Sequence, residues 1–120
     1  MSSYIDTVRR IMSAWDRRDF DEFLGYLTDD IEYHSHVGSP PHLGKDAIRE
    51  FLEAYDGANS EVSWRILNFA ETGNKLLLEG LVEQIDNETG QAVRIPYMGI
   101  FEFRDGRVCA WRDHFQKDSA

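Results

Sequence analysis

The chain has one cysteine, three prolines and no long apolar run, and each scarcity removes a class of protein. Cys109 alone cannot form an internal disulfide or a cysteine-rich metal site. No stretch approaches the roughly 20 apolar residues that a membrane-spanning helix needs. Basic side chains are outnumbered, with 13 Lys and Arg against 22 Asp and Glu. The resulting net charge of −9 has the wrong sign for a nucleic-acid surface. The first residues lack a basic region followed by an apolar run, so no secretory signal is expected and a cytoplasmic location is the default. Neither a glycine-rich phosphate loop nor a Gly-x-Ser-x-Gly elbow occurs. Repeats, low-complexity tracts and linkers are missing too.

What remains is 120 residues, 42% hydrophobic and 12% aromatic, enough for the core of a single domain over 1–120. Apolar residues at three- and four-residue spacing predict helices over 3–18, 19–27 and 45–56. Ser2 or Ser3 is placed to cap the first, and Asp19 with Glu22 forms a capping-box pattern for the second. A short strand is predicted over 31–36, a loop over 37–44, and strands over 62–71, 76–86, 93–103 and 107–116. Pro96 inside the fourth of these implies a bulge or an edge position. Helices at the front and a meander at the back predict an α+β fold. Three helices on a curved, mostly antiparallel sheet leave a conical cavity between them, the usual place for a small-molecule site.

The last strand is the most informative. Alternation puts Cys109, Trp111, Asp113 and Phe115 on one face and Val108, Ala110, Arg112 and His114 on the other. A carboxylate among aromatic side chains is costly to ionise, so its pKa should rise towards the range of a general acid or base. Alternatively, Asp113 pairs with Arg112 or Arg65 at an open strand end. On the strand over 76–86, Gln84 and Asp86 share a face with Gly80 and Val82, which leave room for a cavity. Asp86 is equally suited to opening the Asn87-Glu-Thr-Gly90 turn. Tyr33 and Ser35 share a face with Ile31, either in the core or against a ligand. His34, His36, His42 and His114 find no convincing partner set, so no metal is expected. Cys109, in a strand interior, reads as packing.

The run Tyr97-Met-Gly-Ile-Phe-Glu-Phe-Arg-Asp-Gly-Arg-Val108, leading into Ala110-Trp-Arg-Asp-His-Phe115, resembles the nuclear-transport-factor-2-like superfamily. Within it, the chain is most similar to the branch of limonene-epoxide hydrolases and SnoaL-like polyketide cyclases. The resemblance implies a cone-shaped fold of three helices on the sheet, no cofactor, and a homodimer packed through the sheet. In the hydrolases the Asp of the Trp-Arg-Asp motif activates water, which implies that role for Asp113. Tyr33 and Ser35 match the residues that hold the water, Ser35 standing where the family has Asn. Asp86 matches the acid that protonates the epoxide oxygen, and Gln84 stands where an Arg links the two carboxylates. Trp111, Val82, Met98 and Trp15 are expected to line the substrate pocket.

Three functions follow as expectations. The first is hydrolysis of a small apolar epoxide. The second is a cyclase or ketosteroid-type isomerase that moves a proton on carbon. The third is a non-catalytic domain that binds a small ligand.

Overall fold

In the computed structural model, residues 3–115 are described. The order is α1 (Tyr4–Asp16), α2 (Phe20–Gly25), β1 (Leu27–His34), β2 (His42–Leu43), α3 (Gly44–Ala58), β3 (Asn59–Thr72), β4 (Lys75–Asp86), β5 (Ala92–Arg104) and β6 (Arg107–His114). The α+β expectation holds, with three helices packed on one six-stranded sheet. The strand order is β2-β1-β6-β5-β4-β3. Every neighbouring pair is antiparallel except β1 and β6.

Local chemistry explains most boundaries. The Asp19 side chain accepts a hydrogen bond from the Glu22 backbone N–H at 3.0 Å, capping α2. Ser3 occupies the N-cap of α1 without a side-chain bond, and Ser2 lies outside the described residues. Asp105 and Gly106 both take positive φ, 53° and 80°, as the tight β5–β6 hairpin requires. Pro96 pairs with Leu81 of β4, and among the described residues β6 pairs with β5 from Met98 onward.

The sheet departs from the sequence reading in three places. β1 begins at Leu27 rather than at Ile31, so Thr28-Asp-Asp30 belongs to the strand. Leu27 pairs with Val108 of β6, and this tertiary pairing overrides the poor strand propensity of Asp. The loop over 37–44 contains β2, which pairs with Glu32 and Tyr33. The last strand ends at His114, and Gln116 lies outside the described residues.

A bulge also breaks the alternation of β6. Ala110 pairs with Glu102, but Val108 pairs with Phe103, leaving Cys109 as the extra residue. Val108 is therefore fully buried on the face that carries Trp111, whereas strict alternation puts it on the opposite one. The core beneath the helices joins Val8, Ile11 and Trp15 of α1 to Ile48 and Leu52 of α3 and to Leu76, Leu78 and Phe101 of the sheet. Among the described residues no helix is long and apolar enough to cross a membrane.

Candidate active site

Beyond the core, the concave face of the sheet and helix α3 enclose a cavity of about 240 Å³. Its walls are Tyr33 and Ser35 from β1 and the residues after it, Phe51 and Tyr55 from α3, and Trp64 from β3. Val82 and Gln84 of β4, Ile95 and Tyr97 of β5, and Trp111, Asp113 and Phe115 of β6 and the residue after it complete them. Seven of these twelve are aromatic, so the cavity favours a small, mostly apolar guest.

Asp113 sits among those aromatic rings. Its Oδ1 accepts from the Trp111 indole N–H at 2.9 Å, and its Oδ2 accepts from the Tyr33 hydroxyl at 3.2 Å. Burial drives its pKa up to about 7, and the two hydrogen bonds, which favour the ionised form, pull it part of the way back. The alternative of a surface ion pair does not arise. Arg112 bonds Glu102 at 2.6 Å and Arg65 bonds Glu83 at 2.7 Å. A glycine makes room for the carboxylate: Gly99 lies opposite Asp113, and a Cβ there would meet Oδ1 at 3.1 Å.

Burial, and secondarily the charge on Asp113, hold the Tyr33 hydroxyl well above its ordinary pKa. Tyr33 thus stays protonated and donates to the carboxylate directly. Removing that donor in Tyr33→Phe should push the Asp113 titration up by roughly one further unit. The carboxyl carbon shift in an NMR pH titration reads this, and an unmoved or lowered midpoint contradicts it.

Other expected site residues fall differently. Val82 and Trp111 line the cavity, as does Ser35, whose Oγ lies 3.3 Å from His42 Nε2. Gln84 also lines it, but its amide is engaged elsewhere. Its Oε1 accepts from the Tyr55 hydroxyl, and its Nε2 donates to Asn59 Oδ1 at 3.1 Å. Asn59 in turn donates to the Tyr55 carbonyl at 3.2 Å, so Gln84 braces α3 against β3 and does not bridge two carboxylates.

Asp86 is a correction. It shares the face of Gln84 but lies at the end of β4, outside the cavity lining. Its Oδ1 accepts from the backbone N–H groups of Glu88 at 2.8 Å and Thr89 at 3.3 Å, so it builds the turn. Met98 is a second correction. Its neighbours Tyr97 and Gly99 face inward, so Met98 points outward and is 55% exposed. Trp15 is a third: fully buried, it stacks on Trp64 at 5.4 Å and backs the cavity wall without reaching the cavity.

The histidines are spread among unrelated contacts. His34 bonds Glu32 and His36 bonds the Phe115 carbonyl. Among the described residues no group of three or more His, Cys, Asp or Glu is placed to hold a metal. The reading of the sequence missed Tyr55, Trp64 and Tyr97. Tyr97 was legible by parity, because it alternates with Gly99, Phe101 and Phe103 along β5.

Comparison with known proteins agrees with this architecture. A nuclear-transport-factor-2-like protein of unknown function from Burkholderia pseudomallei is 23% identical, with a TM-score of 0.87 over 97% of this chain and 92% of that one. An LEH-like epoxide hydrolase of M. tuberculosis is 26% identical, with a TM-score of 0.80 over 94% of this chain and 82% of that one. A candidate polyketide cyclase from Xanthomonas campestris is 19% identical, with a TM-score of 0.77 over 94% and 90% of the two chains. The SnoaL-like domain matches residues 8–111, which span helix α3 of the cavity wall and the strand that carries its carboxylate up to Trp111. The chain belongs to the SnoaL-like domain family.

Proposed function

We propose that this chain is an enzyme in which Asp113 serves as general base on carbon, abstracting a proton beside a carbonyl of a small, mostly apolar ring compound. One observation supports this reading above others: Asp113, with its pKa raised to about 7, is the only charged side chain among the described residues lining an aromatic cavity. A base titrating near 7 combines a populated carboxylate with useful basicity at neutral pH. The proton on carbon passes to Asp113, the C–H electron pair becomes a C=C bond, and the carbonyl oxygen takes the charge. Asp113 then returns the proton, to a different carbon in an isomerisation or to a new alkoxide in a ring closure.

Epoxide hydrolysis is the second reading. It is favoured by the likeness to the M. tuberculosis epoxide hydrolase at 26% identity. With Asp86 committed to its turn, no second carboxylic acid lines the cavity among the described residues to protonate the departing oxygen. One experiment separates the two. Purified protein is incubated with cyclic ketones in heavy water and with cyclic and terpene epoxides in water enriched in heavy oxygen. The expected result is deuterium at carbon beside the carbonyl, with no labelled diol. Labelled diol from the epoxides transfers the assignment to hydrolysis, and neither product leaves a ligand-binding domain.

A further inference from the structure

Two glycines of the sheet stand opposite two polar side chains of the cavity lining. Gly99 on β5 lies opposite Asp113 on β6, and Gly80 on β4 lies opposite Tyr97 on β5. A Cβ on Gly80 would meet the Tyr97 ring at 2.6 Å and its hydroxyl oxygen at 2.7 Å. The ring therefore lies flat over the glycine backbone, and any larger residue at 80 would displace it. At its other edge, the same ring stands 3.7 Å from the point where a Gly99 Cβ would be, and Asp113 Oδ1 stands 3.1 Å from that point. Tyr97 and Asp113 are thus seated side by side.

The cavity hydroxyls differ in what they hold. Tyr33 donates to Asp113, Tyr55 donates to Gln84, and Ser35 contacts His42. The Tyr97 hydroxyl makes no hydrogen bond to any described side chain, although it lines the cavity and is half-buried. A phenol held in a fixed pose in an apolar wall without a partner is a donor awaiting an acceptor.

We propose that Tyr97 donates its hydroxyl hydrogen bond to the substrate oxygen that becomes charged when Asp113 removes a proton from the neighbouring carbon. The inference rests on the reading of Asp113 as a base on carbon and adds the group that receives the developing charge. Tyr97 gives no proton away. Burial and the nearby Asp113 carboxylate raise its pKa, so it stays a neutral phenol throughout and stabilises the oxyanion by hydrogen bonding alone. The substrate class narrows accordingly to compounds whose carbonyl oxygen lies within reach of Gly80 while the acidic C–H faces Gly99.

Binding of an enolate mimic tests this without a known substrate. The probe is 4-nitrophenolate at alkaline pH, with 4-nitrotoluene as its oxygen-free counterpart, titrated into Asp113→Asn, which removes the charge that would repel the phenolate. Tyr97→Phe in that background keeps the ring on Gly80 and deletes only the hydroxyl. The phenolate should bind about tenfold more weakly without the hydroxyl, while 4-nitrotoluene binds equally well. Equal or absent phenolate binding in the two proteins overturns the assignment, as does an equal loss for both probes. Failure of the Asp113 reading looks different. Exchange on ketones that survives Asp113→Asn removes the base whatever the phenolate does, whereas exchange that requires Asp113 with phenolate binding indifferent to Tyr97 removes the donor alone.

Discussion

Asp113→Asn should fold as the parent does and lose turnover by about 10³-fold, within the range that a positioned general base contributes. Asparagine has nearly the shape of aspartate, so the close fit over Gly99 is kept. Its one carbonyl oxygen can still accept from the Trp111 indole. What disappears is the lone pair that takes the proton. The same carboxylate sets the pH dependence in the parent. With Asp113 titrating at about 7, kcat/KM should rise with pH through that value and level off above it. The tyrosines around it are all raised, so none of them imposes a falling limb in the moderately alkaline range. Initial rates of exchange between pH 5 and 9 check both expectations. Activity of Asp113→Asn within threefold of the parent would remove Asp113 from the chemistry.

The second large effect is on stability, and it runs opposite to activity. The Asp113 carboxyl is raised to about 7 in the fold against an ordinary 3.8, so the folded state prefers it protonated. Its contribution is fully present below the ordinary value and is lost as pH rises through 7. A shift of this size corresponds to an upper bound of about 4 kcal/mol, and partial hydration of the cavity brings the expected loss to about 2–3 kcal/mol. Asp113→Asn carries no charge to desolvate. In urea unfolding it should exceed the parent by that amount at pH 8.5 and match it at pH 4. Glu22 and Asp30 act in the other direction. Hydrogen bonds from Arg17 and Arg104 hold them low, and their stabilisation fades in acid. Both proteins share that loss, so it cancels in the difference. A difference that stays constant with pH would mean that Asp113 ionises in the fold as easily as in the unfolded chain. On the proposed reading, that lost stability accompanies a carboxylate ready to act as a base at neutral pH.

Much of the architecture was legible in the sequence. Helical periodicity located all three helices, because a buried stripe at three- and four-residue spacing is a local property of the chain. The meander and its Asp105-Gly106 turn were equally local. Alternation placed Trp111 and Asp113 together on the inner face and predicted the raised carboxyl from its aromatic neighbours.

Where the reading failed, a distant partner had decided the outcome. Val108 is buried because a bulge at Cys109 resets the alternation, and a bulge exists only once β5 and β6 have paired. β1 starts at Leu27, ahead of its predicted start, because Leu27 as well as Glu32 pairs with β6. Asp86 and Gln84 lie on one face of one strand, yet the first serves a turn and the second a brace to α3. Spacing in the chain cannot separate them, because the difference lies in which backbone or hydroxyl group comes to meet each. By itself, then, the sequence determined the three helices, the five longer strands and the inward side of Trp111 and Asp113, since these depend on the period of the chain. Only the tertiary structure decided which groups share the cavity with that carboxylate. Hydrogen-bond partners and the glycine seats opposite Asp113 and Tyr97 are set by strands and helices that the chain brings together from far apart.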